Sequence, residues 1–261
     1  MKIPLYQIDA FTNQLFGGNP AAVCPLDNWL SDDLLQKIAM ENNLAETAFF
    51  VKTENGFHIR WFTPKAEVDL CGHATLATAY VMFKFLGYKD KIISFHSRSG
   101  LLNVSNNEGW LTLDFPVDKI EKIESSADLN ACFDKSPVEI YKGIMDYLFI
   151  YPDQKTIETL TPYLERISEF GSRGIIVTAK GNEVDFVSRY FAPGVGISED
   201  PVTGSAHTTL TSYWHKHMRK NEFVALQLSE RGGYLKCALK GDRVEISGQA
   251  KPYLIGEIEV E

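Results

Sequence analysis

The sequence has no Cys-x-x-Cys pair, and its four cysteines, Cys24, Cys71, Cys132 and Cys237, are widely scattered. That pattern suits a reducing compartment better than a disulfide framework or a zinc site. Long apolar runs are also missing. Stretches such as Tyr147-Leu148-Phe149-Ile150-Tyr151 are far too short to span a bilayer. Met1-Lys2-Ile3-Pro4-Leu5 leads into no apolar run before a small-residue cleavage site, so no signal peptide is expected and the expected location is the cytoplasm. There is no basic cluster: 26 Lys and Arg against 34 Asp and Glu give a net charge of −8, which argues against nucleic acid or an anionic membrane as partner. Neither Gly-x-Gly-x-x-Gly nor a Walker pattern occurs, so neither a dinucleotide nor ATP is implied. His215 and His217, two apart, point to different sides of a helix, so with His207 they make no metal site. The expectation is therefore no cofactor and no metal. What is present, 44% hydrophobic and 12% aromatic residues in 261, is an ordinary globular composition for one large domain or two of roughly 130 residues.

The chain contains an internal repeat. Arg60-Trp61-Phe62-Thr63-Pro64 matches Arg189-Tyr190-Phe191-Ala192-Pro193 at an offset of 129, and seven residues past each proline come Cys71 and Asp200. Gly72-His73-Ala74 then matches Gly204-Ser205-Ala206 at an offset of 132, which places three extra residues at Pro201-Val202-Thr203 and Asp200 opposite Cys71. Duplication explains a strand, a proline, a fixed gap and a helix recurring in one order. The halves join near Pro116 to Ser126, giving domains 1–118 and 119–261, with the last strand free to pack back on the first half and the site expected in the cleft between them.

Patterning predicts a strand at 5–10, a turn at Gly17-Gly18-Asn19-Pro20, and a helix capped by Ser31 that stops at Asn42-Asn43. Strands follow at 47–52 and 57–62. The segment from Ala74 to Leu86 has no polar face before Gly87, so it must be a helix buried all round, inside a curved sheet. The second half should repeat this with a helix at 205–217 and strands near 174–178, 184–191 and 223–228.

Asp9-Ala10-Phe11, Gly18-Asn19-Pro20-Ala21-Ala22-Val23, Asn43-Leu44-Ala45-Glu46-Thr47-Ala48-Phe49, Asp69-Leu70-Cys71-Gly72-His73-Ala74-Thr75 and Glu199-Asp200-Pro201-Val202-Thr203-Gly204-Ser205-Ala206-His207 together resemble the signature blocks of the PhzF family of phenazine-biosynthesis-like isomerases. The resemblance covers both halves. It implies a duplicated α+β fold like that of diaminopimelate epimerase, two pseudo-symmetric halves each with a mostly antiparallel sheet around a central helix. It implies a cofactor-independent isomerase and a homodimer, acting on a small carboxylate such as a cyclic hydroxylated amino acid. It carries the general acid/base role onto Glu46 and substrate binding and orientation onto His73, Asp200 and Ser205, with Asn19, Gly72 and Gly204 as further substrate-binding positions.

The residues themselves leave alternatives open. Glu46 among Leu44, Ala45, Ala48 and Phe49 is either a carboxyl able to take a proton from carbon near neutral pH or a strand-edge glutamate paired with a surface cation. His73 and Ser205 open helices, where free N–H groups suit an anion, or they are a satisfied helix-start histidine and a plain N-cap. Asp200 either binds substrate or satisfies a turn before Pro201. In the related epimerases the positions matched here by Cys71 and Asp200 are both cysteines. A single carboxylate moving a proton between two carbons on one face is thus preferred to two thiols, and Cys71 is expected to pack as a small core residue. A two-base epimerase setting Glu46 or Cys71 against Asp200, and a non-catalytic carboxylate-binding protein, are the alternatives.

Overall fold

The computed structural model describes residues 1–170 and 172–260. The chain forms two units, Met1–Asp114 with Ser247–Glu261, and Phe115–Ile246. The first unit runs β1 (Lys2–Ala10), β2 (Asn19–Leu26), α1 (Asp32–Asn42), β3 (Glu46–Thr53), β4 (Gly56–Phe62), β5 (Glu67–Val68), α2 (Gly72–Lys84), β6 (Ile92–Ser97), β7 (Gly100–Asn107) and β8 (Trp110–Pro116). The second runs β9 (Glu121–Ile123), α3 (Ala127–Asn130), β10 (Glu139–Lys142), β11 (Asp146–Ile150), α4 (Gln154–Thr159), α5 (Leu164–Ser168), β12 (Gly174–Lys180), β13 (Phe186–Phe191), a 3-10 turn (Pro193–Val195), α6 (Ala206–Met218), β14 (Glu222–Gln227), β15 (Gly233–Lys240) and β16 (Arg243–Gly248). The chain then returns to the first unit as β17 (Ala250–Glu259), paired antiparallel with β1.

Both units follow one wiring diagram. In the first, β1–β2 is antiparallel, β2–β3 parallel, β3–β4 antiparallel, β4–β6 parallel and β6–β7 antiparallel. In the second, β10–β11, β11–β12, β12–β13, β13–β14 and β14–β15 repeat that series. The fold is therefore a duplicated α+β one whose sheets are mixed.

Each unit has one central helix. In the first it packs on β1, β2, β3 and β17, and its residues from His73 to Ala79 are all buried. It begins two residues earlier than the patterning predicts and ends at Lys84, because Leu86 is 46% exposed and Gly87 turns at φ 70°. The opposite face of that sheet is covered by α1, whose Leu35, Ile38 and Ala39 meet Ile3, Leu5, Cys24, Phe49 and Phe62. Each such large side chain contributes about 1.5–3 kcal/mol by leaving water. Ser31 caps this helix by accepting from the Leu34 N–H, and Asn43 ends it in the left-handed region at φ 48°. In the second unit α6 stacks Trp214 on Phe186 of β13, while α3, α4 and α5 cover the other face through Leu129, Ile157 and Ile167. The turn predicted at 17–20 is shorter than expected, since Asn19 and Pro20 already pair with Ala10 and Asp9.

Side-chain contacts fix the true register of the repeat. Arg60 forks onto Glu67 at 2.7 and 2.8 Å, and Arg189 onto Glu199 at 2.7 and 2.9 Å. Both guanidinium groups lie over the second following aromatic ring, Phe62 and Phe191. The offset thus already stands at 132 by Glu199, so the three extra residues lie between Pro193 and Glu199, where the 3-10 turn and Gly196 sit, and not at Pro201-Val202-Thr203. The two central helices agree: Thr75 Oγ1 donates to the Cys71 carbonyl, and the His207 ring bonds the Thr203 carbonyl. Cys71 therefore corresponds to Thr203. The expected pairing of Cys71 with Asp200 is wrong, and Asp200 corresponds instead to Val68.

Candidate active site

Glu46 is the first residue of β3, delivered there by the left-handed Asn43 and pinned by Asn42, whose side chain donates to Thr47 Oγ1 at 3.1 Å. Sheet alternation sends Phe49 toward α1 and leaves Glu46 with Ala48 and Phe50 on the α2 face. The carboxylate is buried, 8% exposed, and its Oε2 lies 3.1 Å from Nε2 of His73 in the first turn of α2. That approach is at ion-pair distance but lacks hydrogen-bond alignment, so neither atom has a hydrogen-bond partner. A surface glutamate paired with a mobile cation is excluded by this burial.

The His73 ring is held on its other side. Asn19 Nδ2 lies 3.2 Å from Nδ1, and an amide N–H can only donate, so Nδ1 accepts and the Nε2 proton facing Glu46 is present in either charge state. Cys71 Sγ stands 3.5 Å from the same Nδ1. Burial alone would lower the His73 pKa, but the Cys71 sulfur and the Glu46 carboxylate outweigh it and raise the pKa well above the ordinary imidazole value. Burial and the Glu46 charge push the Cys71 thiol up. Cys71 is buried, as expected, yet it touches the histidine rather than only apolar neighbours. Gly72 is the first residue of α2, preceding His73, and Cys71 at the N-cap makes no side-chain cap bond. Asn19 is placed by Gly18 at φ 66°, where an added Cβ would lie 2.1 Å from the Ala10 carbonyl oxygen, so only glycine fits the turn.

In the second unit Asp200 is buried and accepts from Thr203 Oγ1. Gln227 holds that turn from both sides, donating to the Asp200 carbonyl at 2.8 Å and accepting from the Thr203 N–H at 2.9 Å. Ser205 follows Gly204 at the start of α6, but its own conformation is helical and its side chain makes no cap bond, against the expected N-cap. Its Oγ instead accepts from Arg173 Nη2 at 3.1 Å. Arg173 also forks onto Asp146, whose Oδ1 accepts from Tyr190 at 3.0 Å. Burial, then the Asp146 charge, raises the Tyr190 phenol, which therefore stays a donor.

The Arg173, Asp146 and Tyr190 group went unnoticed in the sequence. Strand register exposes it: Phe49 faces Arg60 and Val177 faces Arg189, so Glu46 corresponds to Gly174. By the neighbouring strand, Ala21 beside Glu46 corresponds to Asp146 beside Gly174. One unit thus presents a carboxylate without an aligned donor, and the other presents one already saturated by Arg173 and Tyr190. Among the described residues Glu46, Cys71 and His73 also form a group of potential metal donors, whereas His207, His215 and His217 do not. No helix of the described residues is long and apolar enough to cross a membrane.

These features meet in a known family. The family model for phenazine biosynthesis-like proteins, PhzC-PhzF, matches residues 8–256, and the chain belongs to that family. It is 46% identical over 260 residues, all of both chains, to an uncharacterized isomerase of Pseudomonas aeruginosa. A crystal structure of a phenazine biosynthesis protein of the PhzF family from Enterococcus faecalis superposes with a TM-score of 0.97 at 44% identity, over 100% of both chains. A hydroxyproline epimerase from Agrobacterium vitis shares the fold alone, with a TM-score of 0.65 at 8% identity over 98% of this chain and 92% of that one.

Proposed function

We propose that the chain is an isomerase that moves a proton between two carbons of a small carboxylate, with Glu46 as the single acid/base. The observation that carries this reading is the asymmetry just described: Glu46 is buried without an aligned donor, its counterpart is Gly174, and Asp146, the strand neighbour of Gly174, is occupied by Arg173 and Tyr190. A desolvated carboxylate takes a proton from a carbon acid more readily than a solvated one. The electrons left on that carbon delocalise through the adjacent unsaturation, and Glu46 returns the proton to a second carbon as the double bond shifts. The reaction is redox-neutral and needs no cofactor for its balance.

In this proposal the Nε2–H of His73 steadies the Glu46 carboxylate, and Asn19 holds the ring. Asp200 and Ser205 bind and orient the substrate, as the family resemblance implies, and an N–H group at a helix start such as Gly72 or Gly204 suits its carboxylate, since a helix start stabilises an anion. The substrate class carried over from the family resemblance is a cyclic hydroxylated amino acid. An epimerase with two opposed thiols has less support, because the position equivalent to Cys71 is a threonine.

The test is a panel of small carboxylates, cyclic hydroxylated amino acids included, incubated with the protein in D₂O and followed by proton NMR. At least one member should lose or move a carbon-bound hydrogen with the wild type and not with Glu46→Gln. Exchange that continues unchanged in Glu46→Gln would remove Glu46 from the mechanism, and a panel that binds without any exchange would favour a carboxylate-binding protein.

A further inference from the structure

Glu46, Cys71 and His73 bring three kinds of metal donor together inside the first unit. A carboxylate oxygen, the Cys71 sulfur and a ring nitrogen all lie within 4.8 Å of one another, and all three residues are buried. The closest approaches, 3.1 Å between Glu46 Oε2 and His73 Nε2 and 3.5 Å between Cys71 Sγ and His73 Nδ1, involve different ring nitrogens, and an ion takes only one of them. A tetrahedral zinc ion, with ligands at about 2.0–2.3 Å, sets its donors roughly 3.3–3.7 Å apart, so the three donors, already within 4.8 Å, draw together by side-chain rotation to close around an ion at one ring nitrogen. A second observation points the same way. Glu46 Oε2 is a buried acceptor without an aligned hydrogen-bond partner, which a cation would satisfy.

The donor set also selects the ion. Magnesium and calcium take several oxygen ligands, and one carboxylate is too few. A thiolate, an imidazole and a carboxylate suit zinc and its spectroscopic substitute cobalt. Thiolate and carboxylate carry two negative charges against the ion's two positive ones, which offsets the cost of burying the anions.

We propose that Glu46, Cys71 and His73 form a binding site for a thiophilic divalent cation of the zinc class, and that the bound ion reversibly switches the enzyme off by occupying its acid/base. Binding releases to solvent the Cys71 thiol proton and any proton on the ring nitrogen of His73 that ligates, and leaves the fourth position to water. The binding half stands on the donor set alone. The inhibitory half rests on the role proposed above for Glu46.

The experiment uses the full chain, stripped with a chelator and titrated with cobalt. One cobalt per chain should bind, with the near-ultraviolet charge-transfer band of a cysteine–cobalt bond and the visible bands of a tetrahedral site. Cys71→Ser should abolish the charge-transfer band, Glu46→Gln should weaken binding at least about tenfold, and Cys132→Ser should leave the band in place. X-ray absorption at the zinc edge of the wild type tests the same claim without any substitution, and should show one sulfur among nitrogen and oxygen ligands. No binding, a shell without sulfur, or a band that survives Cys71→Ser would overturn the site. In the D₂O exchange assay zinc should stop turnover and a chelator should restore it, and zinc bound without loss of turnover would overturn the switch. If cobalt binds through Cys71 while Glu46→Gln exchanges at the wild-type rate, the metal site stands and the acid/base reading falls.

Discussion

Cys71 and Thr203 occupy equivalent positions in the two units, each offering its carbonyl to the side chain four residues on: Thr75 Oγ1 at 2.6 Å in one, the His207 ring at 2.9 Å in the other. A mechanism with two opposed thiols therefore lacks its second sulfur, and the Cys71 sulfur lies against the His73 ring.

Cys71→Ala should accordingly cost on the order of 1 kcal/mol of stability, as the loss of one buried heavy atom does, and leave turnover within about tenfold of wild type. Urea denaturation and the exchange assay measure the two effects. A rate loss as large as that of Glu46→Gln would restore the two-base epimerase.

Glu46→Gln should keep the fold and ligand binding, because the amide is nearly isosteric, while turnover falls at least about a hundredfold, the low end of what a positioned acid/base contributes. Ligand-induced stabilisation in a thermal melt should persist, since it reads binding to the folded state. Loss of that stabilisation would make Glu46 a binding group instead.

Gly174, the counterpart of Glu46, has no room for a side chain. A Cβ there would lie 2.7 Å from the Phe191 carbonyl oxygen and from the Tyr190 ring. Gly174→Ala should destabilise the protein by about 1–3 kcal/mol through overcrowding. Urea denaturation should show this, and an unchanged midpoint would mean that the strand accommodates the methyl and that the glycine is not sterically required.

His207 gives a pH signature. Its Nδ1–H donates to the Thr203 carbonyl, Nε2 has no partner, and burial lowers its pKa to about 4. The folded pKa lies below the unfolded value of about 6.5, so its contribution to stability is complete above that pH. Stability is lost as pH falls from about 6.5 toward 4, while the unfolded chain takes up the proton first, by a total on the order of 3 kcal/mol. His207→Asn retains a donor for Thr203 and cannot titrate, so its stability should fall less over that window in urea melts run at a series of pH values. Parallel wild-type and variant curves would contradict a buried neutral His207.

Much of this was legible in the sequence because it is written in local pattern. The unbroken apolar run from Ala74 announces a fully buried helix, and Ser31 and Asn43 mark the ends of α1. The register of the repeat was not legible past Pro193. Arg60 with Glu67 and Arg189 with Glu199 read as unrelated charges until their forked contacts show them to be the same feature, and the 3-10 turn that shifts the spacing has no counterpart in the first unit. Ser205 looks like an N-cap in sequence, but its partner Arg173 lies 32 residues away. Glu46 stands beside a helix end that the sequence shows, whereas the meeting of Glu46 and Asn19 on the His73 ring depends on the pairing of β2 with β3 and the packing of α2 on both, which no short motif encodes.

The most direct measurement follows the hydrogen itself. Once the exchange panel yields a substrate, that compound is prepared with deuterium at the carbon that loses its proton and converted in ordinary water. One carboxylate shielded from solvent should carry part of the deuterium to the new carbon, so early product should hold label there together with a shifted double bond and a changed ultraviolet spectrum. Product in which the hydrogen is replaced at its original stereocentre, with no shift of unsaturation, would contradict proton transfer by Glu46 alone.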